Sequence, residues 1–401
     1  MTMRVLIVLS GMHFWRGGPP RVVSGSAVAL AHAGCEVEVA TMEELATNGD
    51  VREIDVIRGA WPEMAEQQIP LHIFPRGFPR QIGRSRELSE FVESNLDRFD
   101  LLHVHGVWET GLADAATIFR KAGKPVLVSP HGMLVRWELR QSRVKKRIAR
   151  MFFGTGAMLK HADTLLYGTQ EEADEAATLR LVGRVALVPN GATPLHIDNP
   201  SAARQALLEK FPALRDWKRT ILYFSRLHHK KGLDLLVEAF GRVHREFPGV
   251  GLFAAAIEQD LEFEARVRAQ IAALGDAPIL LTTEMAGPSA RIVFTVADIF
   301  SLPSHQEGFS IALLEAASAG IALLITDTCH MQEVADEGAG VVVPVTVDGL
   351  EEGLRRLLSL DDAALAEMGR RAADVIAARY TWESVAVCLI AVYDAAVADR
   401  A

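Results

Sequence analysis

Short β-type apolar runs alternate with longer helix-period stretches along the whole chain, and this alternation restarts once near its middle. Such a pattern predicts parallel α/β architecture, because a parallel strand needs a crossover helix before its neighbour. In the first half, strands are expected at 4–10, 36–41, 101–105, 125–129, 164–168 and 185–188, with a Gly/Pro loop over 11–20 and a helix over 21–33. The segment VPNGATPLHIDNPS (188–201) has the Pro, Gly, Asn and Asp density of a linker. Strands are then expected at 219–225, 251–257, 279–283, 298–302, 321–326 and 340–344, with helices at 232–246, 261–273, 310–320, 349–360, 363–378 and 382–396.

The length of 401 residues exceeds what one core usually serves, so two domains of similar size with a cleft between them are expected. Hydrophobic residues at 49% and charged residues at 23% match a globular enzyme rather than a disordered chain. Cys35, Cys329 and Cys388 are too few and too scattered for a disulfide framework or a cysteine zinc site. No apolar run reaches membrane-spanning length, and the start runs directly into the strand RVLIVL without a basic leader, so a cytoplasmic protein is expected. The net charge of −9 argues against nucleic acid as a partner. That charge is uneven: residues 1–190 hold 23 Lys+Arg against 22 Asp+Glu, and residues 191–401 hold 19 against 29.

The strongest chemical signal is EGFSIALLE, in which Glu307 and Glu315 bracket Gly308, Phe309 and Ser310 after the strand ADIFSL. A strand–turn–helix passage places this segment at the carboxyl end of a parallel strand, where open α/β sheets bind ligands. Backbone N–H groups of Gly308–Ser310 would then face a phosphate, and both carboxylates could turn to one side. By itself a pair of glutamates at this spacing is an ordinary solvated helix face; the Pro–Ser lead and the small-residue helix make it specific. Arg226 and Lys231 flank the turn after the strand ILYFS, where two fixed cations could neutralise a diphosphate leaving group. His131 follows the strand PVLVS, and His105 ends the strand before it. Gly17 and Gly18 allow close backbone approach after the first strand. The GGPP loop lacks the spacing of a dinucleotide fingerprint, which disfavours NAD. The chain contains no D-x-D triplet to hold a metal–diphosphate complex.

Together with SPHG (129–132), VPNG (188–191), SRL followed by KKG (225–232), and YTWE with Tyr393, the segment resembles the signature set of the retaining glycosyltransferases of family 4. The resemblance runs from about residue 4 to residue 395. It implies the GT-B fold: two Rossmann-like domains facing across a cleft, with residues 1–190 binding the acceptor and 191–380 the nucleotide sugar. Residues 381–401 would form a helix crossing back to the first domain. The implied activity is metal-free transfer of a hexose from a nucleoside-diphosphate sugar to a saccharide or lipid-linked saccharide in polysaccharide biosynthesis, with no cofactor. By the same resemblance His131 contacts the donor sugar, Glu307 the hexose and Glu315 the ribose. No carboxylate pair recommends a double displacement, so front-face transfer is expected. Alternatives are a GT-B-fold nucleotide-sugar epimerase and a non-catalytic sugar-nucleotide-binding relative.

The chain departs from the family at Ala254–Glu258 and Leu281–Glu284, where glycine-containing turns normally lie near the base. From Arg136 to Phe153 seven basic residues face a single acid, Glu138, among Trp137, Ile148, Met151 and Phe152. A second group, Arg76, Arg80, Arg84 and Arg86, lies nearby in sequence. Such a stretch reads as a helix for an anionic membrane surface, or else as a solvated basic face. A peripheral seat on the inner face of the cytoplasmic membrane is the corresponding expectation.

Overall fold

The computed structural model of the chain describes residues 2–43, 51–141, 143–193, 197–258, 260–285 and 288–400. It divides into two compact units, Met1–Gly191 with Trp382–Ala401, and Ala192–Thr381.

The first unit is built on a seven-stranded parallel sheet. Its strands are β1 (Arg4–Leu9), β2 (Glu36–Glu43), β3 (Leu71–Pro75), β4 (Leu101–His105), β5 (Val126–Ser129), β6 (Thr164–Tyr167) and β7 (Arg184–Leu187). Their order is β3-β2-β1-β4-β5-β6-β7. Helices cover both faces, and β1 accordingly lacks an apolar/polar alternation. Val5, Ile7 and Leu9 pack into one core cluster, while Leu6 and Val8 pack into another on the opposite face.

The second unit repeats the plan with six parallel strands: β8 (Arg219–Leu227), β9 (Val250–Glu258), β10 (Ile279–Thr282), β11 (Ile299–Leu302), β12 (Ala322–Thr326) and β13 (Gly340–Val343). Their order is β10-β9-β8-β11-β12-β13. In β8, Ile221 and Tyr223 face one core and Leu222 and Phe224 the other. In both sheets the order reverses once, between β1 and β4 and between β8 and β11, the position at whose carboxyl ends open α/β sheets characteristically bind ligands.

The closing helix Trp382–Ala398 packs against Gly18–His32 within the first unit. The Trp382 indole occupies the space that a methyl group on Gly25 or Gly191 would need. Arg184 pairs with Asp399 at 2.5 Å, and Arg400 with Asp163 at 2.7 Å.

Four local expectations need correction. The helix expected from residue 21 begins at Gly18, because Pro19 and Pro20 sit in the first turn, where no N–H is required. Strand β3 escapes the sequence pattern: it is half-buried throughout, lies at the sheet edge and ends in Pro75. The departure at 254–258 is not an altered turn, because the strand expected at 251–257 continues and β9 runs through Glu258. Finally, the basic stretch is two helices, Arg136–Arg140 and Arg143–Phe152, rather than one.

Candidate active-site residues

In the second unit, β8 ends at Leu227 and a single 3-10 turn, His229–Lys231, leads into the helix Leu233–Val243. Gly232 joins them with φ +68°, and a methyl group there would overlap the Pro303 carbonyl oxygen. The turn after β8 is thereby pressed onto the turn after β11. His305 N–H donates to the Lys230 carbonyl at 2.8 Å, fastening the same two turns. Gly232→Ala is expected to lower the stability of this unit by about 1–3 kcal/mol, combining overlap with left-handed strain. Urea unfolding measures it.

This junction puts Lys231 against Glu307. Lys231 Nζ and Ser304 Oγ each donate to Glu307 Oε1 at 2.5 Å, and both charged residues are more than nine-tenths buried. Burial works to raise the Glu307 carboxyl; the Lys231 and Lys230 charges and the two hydrogen bonds outweigh it, so the group lies below the usual range. Glu307 N–H donates to the Thr328 carbonyl at 3.1 Å, which ties the loop to the turn after β12. Arg226, three residues before the turn, is half-buried, and its guanidinium makes no hydrogen bond or ion pair among the described residues.

Ser310 caps the helix Ile311–Ser318, its Oγ accepting from Leu313 N–H at 3.4 Å. Gly308 and Phe309 precede it half-buried, with the Phe309 ring 5.2 Å from that of Tyr380. Glu315 is 2% exposed and its Oε1 accepts from Arg291 Nε at 3.0 Å and Nη2 at 2.6 Å. Arg291 is a residue that sequence reasoning missed: it lies in a 3-10 stretch, Pro288–Val296, with no spacing that ties it to the EGFS segment. Ser304, three residues before Glu307, reads from the sequence only as part of the Pro–Ser lead, and its donation to the carboxylate was missed.

In the first unit, Gly17 lies in the loop after β1 with φ +88°, and Gly18 opens the following helix. His105 ends β4, and His131 follows β5 with φ +52°, an unusual backbone for a residue with a Cβ. Glu172 holds this loop: its Oε1 accepts from Gly132 N–H at 2.5 Å and its Oε2 from Gly168 N–H at 3.0 Å. The T-x-x-E spacing of Thr169 and Glu172 signals a helix start, which is formed, but not the clamp across to Gly132.

The left-handed turn aims His131 at His105, with 2.8 Å between His131 Nε2 and His105 Nδ1. Beside them His103 lies 2.8 Å from both the Tyr393 hydroxyl and Ser129 Oγ. Burial depresses all three imidazoles, His131 to about 4, His103 to about 3 and His105 well below its ordinary value, so they are neutral at pH 7.

His228, His229 and Asp260 bring metal-ligand atoms within 4.8 Å of one another. Two of them already have structural duties. His228 Nδ1 accepts from Lys230 N–H at 3.2 Å, and Asp260 Oδ1 caps Leu261–Ala273 through Phe263 N–H at 3.0 Å.

Known proteins place these sites in context. Among solved structures, Anabaena HepE in complex with UDP and glucose superposes with a TM-score of 0.74 at 16% identity, covering 98% of this chain and 100% of that one. The fold is GT-B. The family description "Glycosyl transferase 4-like domain" matches residues 17–191, and "Glycosyl transferases group 1" matches residues 206–375. The chain belongs to the family 4-like GT-B glycosyltransferases. A D-inositol 3-phosphate glycosyltransferase of Segniliparus rotundus is 26% identical over 404 residues, spanning 95% of this chain and 85% of its own. A GDP-mannose:cellobiosyl-diphosphopolyprenol alpha-mannosyltransferase of Xanthomonas campestris is 28% identical over 307 residues, 74% of each chain.

Proposed function

We propose that this glycosyltransferase moves a hexose from a nucleoside-diphosphate sugar to a saccharide or lipid-linked saccharide, with retention and without a metal, in polysaccharide biosynthesis. The observation that carries the reading is the Arg226–Lys231–Glu307 constellation at the strand-order reversal of the second unit. Lys231 is already neutralised by Glu307, which leaves Arg226 as the cation with charge to spare for a diphosphate. Lys231 then holds Glu307 ionised and oriented toward the hexose. Arg291 and Glu315 form the ribose end, the guanidinium fixing the carboxylate that takes the sugar hydroxyls.

Related proteins support the substrate classes: HepE has been solved with UDP and glucose, and the Xanthomonas relative is named for GDP-mannose and a diphosphopolyprenol-linked acceptor. Transfer runs on one face of the sugar. The anomeric carbon–phosphate oxygen bond breaks as the acceptor oxygen bonds to that carbon, and the acceptor proton passes to the leaving phosphate.

Calorimetric titration with UDP, GDP, ADP and CMP, in EDTA, tests the donor assignment. One diphosphate is expected to bind, and Arg226→Ala is expected to weaken it by at least about tenfold, the worth of one charge-assisted hydrogen bond. No binding by any of them would remove the donor site from the account.

Acceptor delivery at a lipid surface is supported by the helix Arg143–Phe152, which exposes Arg147, Ile148, Arg150 and Met151. Lys146 is not part of that face, since its ammonium lies 5.4 Å from the Trp108 ring centre. No helix among the described residues is long and apolar enough to cross a membrane. Retention on anionic vesicles at low salt, lost at on the order of 0.5 M salt, is expected. Equal recovery on neutral vesicles would contradict it.

A further inference from the structure

His131 and His105 share one hydrogen bond, and its direction decides what His131 offers a ligand. A neutral imidazole has one N–H and one lone pair, so a pair of them joined through Nε2 and Nδ1 has two arrangements. In the first, His105 Nδ1–H donates to His131 Nε2, which places the remaining proton of His131 on Nδ1. In the second, His131 Nε2–H donates, and His131 Nδ1 carries a lone pair.

The far side of His105 separates the two. His105 Nε2 is buried and has no hydrogen-bond partner among the described residues. The first arrangement leaves a lone pair there; the second leaves a buried N–H, the kind of orphan that folded proteins avoid most strictly. His131 Nδ1 has no partner among the described residues either, and it is not one of the buried orphans. It is therefore the nitrogen that His131 presents outward. The ring of His103, 4.1 Å from that of His105, and the Glu172 clamp on Gly132 keep both imidazoles in register.

We infer that His105 is a positioning residue that fixes His131 in its Nδ1–H tautomer, so that His131 presents a hydrogen-bond donor to a sugar hydroxyl. The ligand class rests on the proposed function; the tautomer does not.

Nitrogen-15 NMR of the full chain labelled at histidine, without substrate, reads the tautomer directly. Wild type is expected to show a protonated Nδ1 on His131. His105→Leu, which cannot donate, is expected to release His131 into a mixture of tautomers and to lower kcat/KM about tenfold, the worth of one hydrogen bond. His105→Asn sets an amide N–H where Nδ1 stood and is expected to restore both the Nδ1–H signal and most of the rate. A wild-type His131 protonated on Nε2 overturns the inference outright, even if His105→Leu fails to fold. So does a His105→Leu protein that loses rate with the tautomer unchanged. If no sugar donor is turned over, the spectra still decide the tautomer, and only the reading of the ligand falls.

Discussion

Lys231→Met is expected to reduce transferase turnover by about 10²–10³-fold and to destabilise the second unit by about 3–5 kcal/mol. Lys231 and Glu307 are both more than nine-tenths buried and 2.5 Å apart. Removing the ammonium leaves a carboxylate whose remaining side-chain donor among the described residues is Ser304, at 2.5 Å, and burial then drives that carboxyl to take up a proton. Glu307→Gln should destabilise by a similar amount, because it strands the ammonium instead. The double variant Lys231→Met/Glu307→Gln removes both charges, so it is expected to recover much of the stability and none of the turnover. Urea unfolding beside initial rates separates these contributions. A double variant as unstable as the sum of the singles would show that the buried pair is not the unit that matters.

The second large effect is acid sensitivity of the first unit. His131 and His103 protonate at about 4 and about 3 in the folded protein against 6.5 in an open chain, and His105 is shifted the same way. Between these limits the unfolded chain binds more protons than the folded one, so stability rises with pH. The contribution is complete above pH 6.5 and is lost as pH falls toward 4, at about 1.4 kcal/mol per pH unit for each imidazole. The urea midpoint should fall steeply from pH 6.5 to 5, with proton uptake on unfolding. His103→Gln retains donor and acceptor for Tyr393 and Ser129 and removes one titrating group, so it should flatten that slope by about a third. An unchanged slope in this variant would contradict the assignment.

Much of the fold is legible in the amino-acid sequence because parallel strands buried on both faces leave unbroken apolar runs. RVLIVL and ILYF are readable for that reason, whereas β3, half-buried and closed by Pro75, is not. The candidate site residues are legible where a turn motif carries them, as at Glu307, Lys231 and His131. They are not legible where a lone residue arrives from another element: Arg291 reaches Glu315 across 24 positions, and Glu172 reaches Gly132 across 40. Neither contact leaves a period or spacing in the chain. The position of charge is similarly hidden. Arg226 and Lys231 read as equivalent cations, and only the geometry shows that Lys231 is already paired.

Proton NMR of the reaction in EDTA, with the nucleotide sugar whose diphosphate binds and a lipid-linked saccharide acceptor, tests the central claim most directly. The account predicts nucleoside diphosphate release matched by a new glycoside whose anomeric coupling has the configuration of the donor. An inverted product, a strict need for added metal, or an epimerised nucleotide sugar formed without acceptor would contradict it.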